Sequence, residues 1–292
     1  MSWFFFKGGM MYKETDSKTL ISKSSKRLLV PYLIFILLGM FLEILFFQFD
    51  YNVPPIPSIL RGGIVEILQT TAVYPTFAVW FLISLFFARI VFNLLFHKLH
   101  SLLITVLFAF ASYAIYIIFY NGWTYDVHVA GTFHLQFPQF YLGNMCHGLS
   151  LYSLGYYLKD KQFNKNVFVI ASIMFVMKYF IPSGIDFRAN LSSGANFMLA
   201  VLYGMTGCIV INNFFKRFLN YKISFVTHIG DNSMVYYLVH FPVMVTVSQL
   251  YLRYRVLDFW HSFFILFLTV TISLLIAEWI FRHKKLRFII GG

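Results

Sequence analysis

Two side chains that can exchange protons lie inside apolar stretches of this chain. His240 lies about two turns inside the apolar run that follows the polar residues 230–233, and Glu43 lies toward the end of an earlier run. A neutral imidazole can act as a general base toward a hydroxyl or carry an acyl group. An ionisable group at such a depth in hydrocarbon is costly and indicates a functional site. The alternative for His240 is a buried ring that holds a neighbouring helix through one hydrogen bond, and Glu43 could pair with a histidine or an acceptor hydroxyl.

Three further residues are candidates for binding a substrate. Arg89 lies within an apolar run, where its charge could meet an anionic group such as the phosphates of coenzyme A, or pair with a carboxylate. Trp80 follows Pro75 near the start of the same run, although a tryptophan at the membrane boundary is the alternative. Arg27 ends a basic segment that begins at Lys13.

Other titratable residues have simpler explanations. Glu278 lies four residues before Arg282, so local pairing and snorkelling account for it. His128, His134 and His147 are six and thirteen residues apart. Zinc ligands on one element usually fall about three to five apart. The sequence therefore predicts no metal site.

The composition is that of a membrane protein. The 292 residues are 59% hydrophobic and only 12% charged, whereas a soluble domain carries about 25% charged residues. The formal charge of +12 is concentrated in short loops between apolar runs, a pattern that sets membrane orientation. Nucleic acid is therefore excluded as the partner, and the lipid bilayer is predicted instead.

The apolar runs predict an all-α, polytopic helical bundle. A span needs roughly 20 apolar residues, and the first ten residues are too few, so they read as the remnant of a helix. Eight full transmembrane helices are predicted, at 28–49, 77–96, 101–120, 141–158, 167–181, 197–215, 233–251 and 262–281. Asp231, Asn232 or Ser233 would cap the helix that carries His240, and Pro242 would kink it.

The distribution of basic residues predicts the orientation. The segments 13–27, 97–100, 159–166, 216–232 and 282–292 carry sixteen Lys or Arg, whereas the alternate loops at 50–76, 121–140, 182–196 and 252–261 carry four. Because cytoplasmic loops are enriched in Lys and Arg, the first set and the C-terminus are predicted to be cytoplasmic.

Five phrases along the chain resemble membrane-bound acyltransferase family 3. They occur in the family's order and cover nearly the whole chain: W-F-F-F-K-G-G-M at 3–10, K-R-L-L-V-P-Y at 26–32, W-F-L at 80–82, L-G-Y-Y-L-K at 154–159 and G-D-N-S-M-V-Y-Y-L-V-H at 230–240. The resemblance implies one transmembrane domain over residues 1–292 in the bacterial inner membrane. It also implies transfer of an acyl group, usually acetyl from acetyl-coenzyme A, to hydroxyls of cell-envelope or exopolysaccharide sugars.

One departure from the family bears on His240. Members carry their best-supported catalytic histidine in the first helices, and the first phrase here resembles the close of the family's second helix. By that pattern about two spans and the catalytic histidine are missing, so the resemblance does not give that role to His240. We expect either a longer native chain or a truncated paralogue without catalysis. A non-catalytic transporter or assembly protein for polysaccharide is the alternative, and the acceptor sugar and oligomeric state stay open.

Overall fold

The computed structural model describes most of the chain as helices. The described residues are 2–47, 55–70, 72–120, 127–129, 133–135, 139–161, 165–186, 191–194, 197–218, 224–252 and 259–290. The helices of the first half are α1 (Ser2–Met10), α2 (Ser17–Ser24), α3 (Val30–Phe47), α4 (Ile56–Thr70), α5 (Trp80–Leu95) and α6 (Ser101–Tyr120). Those of the second half are α7 (Gln139–Tyr157), α8 (Lys165–Phe180), α9 (Phe197–Phe218), α10 (Ser224–Asp231), α11 (Ser233–Leu252) and α12 (Phe259–Arg282).

Short irregular elements join these helices. A π-helical turn, Ser25–Leu29, links α2 to α3, and 3₁₀ segments occupy Tyr74–Val79 and Lys284–Ile290. Two antiparallel hairpins lie in connections: β1 (Val127–Val129) pairs with β2 (Phe133–Leu135), and β3 (Ser183–Asp186) pairs with β4 (Leu191–Gly194). The strands are three or four residues long and do not form a core layer, so the predicted all-α class is confirmed.

Six stretches of the described residues are long and apolar enough to cross a bilayer. They are Ser17–Phe46, Tyr74–Leu95, Ser101–Ile118, Met198–Arg217, Ser233–Tyr251 and Trp260–Arg282. The other two predicted spans are also helical. However, α7 carries several polar residues, and α8 has 16 residues, below the usual length of a span. The predicted class, a multi-pass membrane protein, is confirmed, whereas the predicted number of eight transmembrane helices stays a prediction.

The burial pattern of α3 explains why this protein needs a lipid solvent. Leu33, Leu37 and Phe41 follow one another at helical spacing on one face and are 58%, 67% and 58% exposed. Phe35 and Ile36 on the other side are buried. Since soluble proteins rarely expose a contiguous apolar stripe of this kind, the exposed face of α3 is the surface that meets hydrocarbon.

Three helix boundaries differ from the sequence prediction. The predicted start of a span at residue 28 is wrong, because the apolar helix runs from Ser17 to Phe46 and includes residues 17–27 of the basic segment. The region 50–76 was expected to be a loop, but α4 lies within it. The expected polar turn at 230–233 is also wrong, because Gly230 and Asp231 belong to α10. In each case helical backbone bonding extends through polar residues that hydropathy alone assigns to a loop.

The chain forms two compact units. Unit 1 comprises Met1–Ile21 and Ser84–Lys222, and unit 2 comprises Ser22–Ile83 and Ile223–Gly292. The boundaries fall inside α2 and α5, so each of these helices contributes to both units. Whether the chain is the single domain predicted from its sequence stays a prediction.

Unit 1 is organised by the close packing of α1 against α7. Phe6, Leu154, Leu158 and Cys208 form a buried apolar cluster that joins α1, α7 and α9. Small residues permit this approach, as they do between membrane helices in general. A Cβ atom on Gly155 would clash with the carbonyl oxygen of Phe6.

Candidate functional site

The candidate site in unit 2 is built from residues that lie far apart in the sequence. The hydroxyl of Tyr237 on α11 donates a hydrogen bond of 3.1 Å to the carbonyl oxygen of Ala78, just before α5. The rings of Tyr237 and Phe81 meet edge to face, with centroids 5.4 Å apart. Phe81 and Leu82 are fully buried. Tyr237 therefore joins the W-F-L phrase to the helix that carries His240.

The backbone of α11 determines which nitrogen of His240 carries the proton. Nδ1 of His240 lies 2.6 Å from the carbonyl oxygen of Tyr237, three residues earlier on the same helix. Because a carbonyl oxygen can only accept, Nδ1 is the donor. In a neutral imidazole the other nitrogen, Nε2, then holds a lone pair that can accept a proton. His240 is half-buried, and in this tautomer Nε2 is the nitrogen that can act as a base.

The helix continues past His240 through Pro242. Helical backbone structure runs without a break from Ser233 to Leu252, and the kink expected at Pro242 stays a prediction. The side-chain amide of Asn232 donates to the carbonyl oxygen of His228 at the end of α10, and the predicted cap of α11 stays a prediction. Asn232 thus closes the preceding helix.

An apolar groove runs beside this part of α11. Its volume is about 570 Å³, and it is lined by side chains of α3, α11, α12 and the last 3₁₀ segment, including Val239 and Pro242 on either side of His240. All but one of its lining residues are hydrocarbon or aromatic in character, the exception being Thr246. Hydrocarbon is therefore the chemistry that fits this groove.

Glu43 lies close to a second carboxyl group. It is half-buried on α3, and its Oε2 has no hydrogen-bond partner among the described residues. Burial raises the pKa of Glu66 on α4. A hydrogen bond from the backbone N–H of Tyr74 lowers this pKa, and the negative charge of Glu43 raises it. The neighbour found for Glu43 is thus Glu66, and the predicted histidine or acceptor partner stays a prediction.

Glu278 has a different environment from the one predicted. Its Oε1 accepts a bond of 2.8 Å from the hydroxyl of Tyr236 and lies 2.9 Å from Nε2 of His228. The expected local pairing with Arg282 is therefore incomplete, since Glu278 mainly joins α12 to α10 and α11. The His228 and Glu278 side chains are 46% and 43% exposed, so this pair contributes little to stability.

Arg89 lies in unit 1 among phenol groups. Its positive charge acts on the phenols of Tyr152 and Tyr12. Burial raises the pKa of Tyr12, so this phenol stays neutral and its hydroxyl donates to Oδ1 of Asn93. The described groups on which Arg89 acts are thus phenols, and its predicted anionic or carboxylate partner stays a prediction.

The two remaining candidates lie at the ends of elements in unit 2. Arg27 is exposed on the π-helical turn before α3, and Trp80 is half-buried as the first residue of α5. His128 and His134 face each other in the register of the first hairpin, but their side chains lie outside the described residues. No group of metal-ligating side chains occurs within the described part of the chain.

The phrases picked out in the sequence contact one another within each unit. In unit 1 the G-G of the first phrase packs against α7, where L-G-Y-Y-L-K ends the helix, and in unit 2 W-F-L meets Tyr237 of the last phrase. A family model, Acyl_transf_3, described as an acyltransferase domain, matches residues 1–278. The chain belongs to acyltransferase family 3. No curated protein and no solved structure matches it.

In this member of acyltransferase family 3, three neighbours of the candidate residues were not predicted from the sequence. Tyr237, Glu66 and Tyr152 are partners of His240, Glu43 and Arg89, yet none stands out by type or spacing. A signal was present only for Tyr237, because it shares the Y-Y-L-V-H phrase with His240. The predicted acyltransferase family and membrane-spanning class are confirmed.

Replacing Tyr237 with phenylalanine is expected to lower the stability of this acyltransferase by about 1 kcal/mol. The substitution keeps the ring but removes the donor to the Ala78 carbonyl, and a net hydrogen bond is worth about that much. Thermal unfolding of the purified protein in detergent measures the effect. Tyr179→Phe is the matched control, because Tyr179 is 80% exposed. Equal unfolding midpoints for the two variants would contradict the prediction.

Proposed function

We propose that this protein transfers an acyl group, acetyl in the simplest case, from acyl-coenzyme A to a hydroxyl of a cell-envelope or exopolysaccharide sugar. Family membership supports the class of reaction. The observation that carries the chemistry is the bond from Nδ1 of His240 to the Tyr237 carbonyl. It keeps the ring in the tautomer whose Nε2 can accept a proton.

In the proposed reaction His240 acts as the general base. Its Nε2 takes the proton of the acceptor hydroxyl while the hydroxyl oxygen attacks the thioester carbonyl. The C–O bond forms, the C–S bond breaks, and the coenzyme A thiolate leaves and receives the proton from the imidazole. This assignment comes from the geometry of His240 and not from the family's pattern, which places a catalytic histidine upstream of the first phrase.

Other candidates have supporting roles in this proposal. Within unit 2, Arg27 is exposed and is the proposed cation for the phosphates of the donor. Arg89 belongs to unit 1 and is proposed there, by itself, as a cation for an anionic group. Glu43 is the proposed hydrogen-bond acceptor for a substrate hydroxyl, since its Oε2 has no partner among the described residues. Trp80 is the proposed aromatic contact. Acetyl-coenzyme A is the expected donor, and the bacterial inner membrane with a cytoplasmic C-terminus is the expected location.

Deletion of the gene is expected to lower the acyl content of the surface polysaccharide. Mass spectrometry of purified polymer gives the number of acetyl groups per sugar unit, and the wild-type gene restores it. Unchanged acetyl content per sugar would overturn the proposal. Loss of the polymer itself, with acetyl content per sugar unchanged, would favour the transporter or assembly alternative.

A further inference from the structure

A polar pocket lies within unit 1, separate from the residues assigned above. Its volume is about 310 Å³, and side chains of α1, α7, α8, α9 and β3 line it. Its polar lining residues include His147, Lys178, Ser183 and Tyr203, and its aromatic lining residues are Trp3 and Phe175. We call these six residues the basic pocket.

Three polar atoms of the basic pocket are buried without a hydrogen-bond partner among the described residues. They are the hydroxyl oxygens of Tyr203 and Ser183 and the Nδ1 of His147. Tyr203 and Ser183 are only 3% and 8% exposed. Burial of a polar group without a partner costs free energy. Two hydroxyls and an imidazole nitrogen left in this way around one cavity indicate a polar ligand.

The charge of the basic pocket indicates the sign of that ligand. Lys178 contributes an ammonium group, and none of the described residues that line the pocket is Asp or Glu. Lysine, tyrosine and serine side chains all donate hydrogen bonds, and lysine cannot accept. A set of donors with one cation and without a carboxylate suits an anionic oxygen, as in a carboxylate or a phosphate.

Small residues of α9 make room for a ligand of the size of a sugar. Added Cβ atoms would approach the Phe175 ring from Gly207 to 3.1 Å and the Ser2 hydroxyl from Gly204 to 3.4 Å. The aromatic rings of Trp3 and Phe175 supply apolar walls. Binding sites for small molecules commonly combine such walls with a few polar groups that set orientation.

We infer that the basic pocket binds the anionic group, carboxylate or phosphate, of an acidic sugar unit in the acceptor. The inference rests on the proposed function, because it names the class of acceptor. The distribution of Lys and Arg predicts that the loop 182–196, which contains Ser183, lies on the outer side of the membrane, where a surface polysaccharide would be acylated. The basic pocket thus selects the polymer through its charge, while the transfer chemistry is assigned to other residues.

Calorimetric titration of the full chain in detergent tests the inference. The probes are glucuronate, glucose 1-phosphate, inorganic phosphate and glucose. We expect one or both of the sugar anions to bind at least tenfold more tightly than glucose and than inorganic phosphate. Lys178→Met and Tyr203→Phe are each expected to weaken binding of the sugar anion about tenfold, since each removes a bond to a charged group.

Two matched control variants test whether a loss of binding is specific to the basic pocket. Lys98→Met and Tyr179→Phe change exposed residues outside the pocket and should leave the binding constants unchanged. Failure of both sugar anions to bind, binding of phosphate as tight as that of the sugars, or insensitivity to Lys178→Met and Tyr203→Phe would each overturn the inference.

The proposed function can fail independently of this inference. If deletion of the gene lowers polymer acetylation but neither sugar anion binds, the assigned ligand is wrong and the acyltransferase proposal stands. If a sugar anion binds through Lys178 and Tyr203 but polymer acetylation is unchanged on deletion, the binding site stands and acyl transfer to the polymer is rejected.

Discussion

Replacing His240 with asparagine is expected to reduce the acyl-transfer rate by about 100-fold or more. Removal of a positioned general base costs roughly 10²–10⁴-fold in rate. Asparagine places an amide N–H near the position of Nδ1, so it can keep the bond to the Tyr237 carbonyl. It has no basic nitrogen at the position of Nε2. The substitution therefore separates the chemical role of His240 from its structural role.

The measurement is transfer of labelled acetyl from acetyl-coenzyme A to polymer in membranes from a deletion strain that carries each variant. His97→Asn is the matched control, because His97 is exposed and pairs with Glu14 at 3.4 Å in unit 1. Expression and unfolding temperature of both variants should equal those of the wild type. A wild-type rate for His240→Asn would show that the ring only holds the helix, which is the alternative considered for it from the sequence.

Replacing Gly155 with alanine is expected to destabilise the protein by about 3 kcal/mol, the upper part of the usual range for overpacking. The added Cβ atom would clash with the carbonyl oxygen of Phe6 on α1. The main chain of α1 or α7 must then move, because a backbone atom cannot rotate away as the end of a flexible side chain can. Gly9 makes the reciprocal approach, since a Cβ atom there would clash with the carbonyl oxygen of Tyr152.

Gly62→Ala provides the matched control for this prediction. An added Cβ atom on Gly62 would meet no atom within 4 Å, and glycine in a helix is less stable than alanine by about 0.5–1 kcal/mol. Gly62→Ala is therefore expected to leave stability unchanged or raise it, whereas Gly155→Ala lowers it. Thermal unfolding in detergent, followed by size-exclusion chromatography, measures both. Equal effects of the two substitutions would show that α1 and α7 do not pack as described.

Membrane class and family followed from local properties of the chain. A span is recognised from consecutive apolar residues, because every backbone polar group in hydrocarbon must bond within its own helix. This requirement acts within one segment, so each of the six described stretches that are long and apolar enough to cross a bilayer overlaps a span predicted from hydropathy. The family phrases are equally local, being short runs of letters such as W-F-L at 80–82.

The helix boundaries that were predicted wrongly lie where polar residues form a helix. The residues 17–27 are basic and polar, yet they continue the helix of α3 through a π-helical turn. Similarly, α4 carries Arg61 and Glu66 and was expected to be a loop. A helix satisfies its own backbone bonds whatever its side chains are, so polarity alone did not mark these ends.

The partners of the candidate residues required the folded chain. Tyr237 lies 159 positions from Ala78, whose carbonyl it binds, and Glu278 lies 50 positions from His228. Composition and spacing describe neighbours along one helix, whereas these contacts join separate helices. For the same reason His147 appeared in the sequence only as an unsupported metal ligand, with no indication that Lys178 lies near it. Only the packing of α7, α8 and α9 brings them around one cavity with Tyr203, because helix packing depends on side-chain shapes that meet across the bundle.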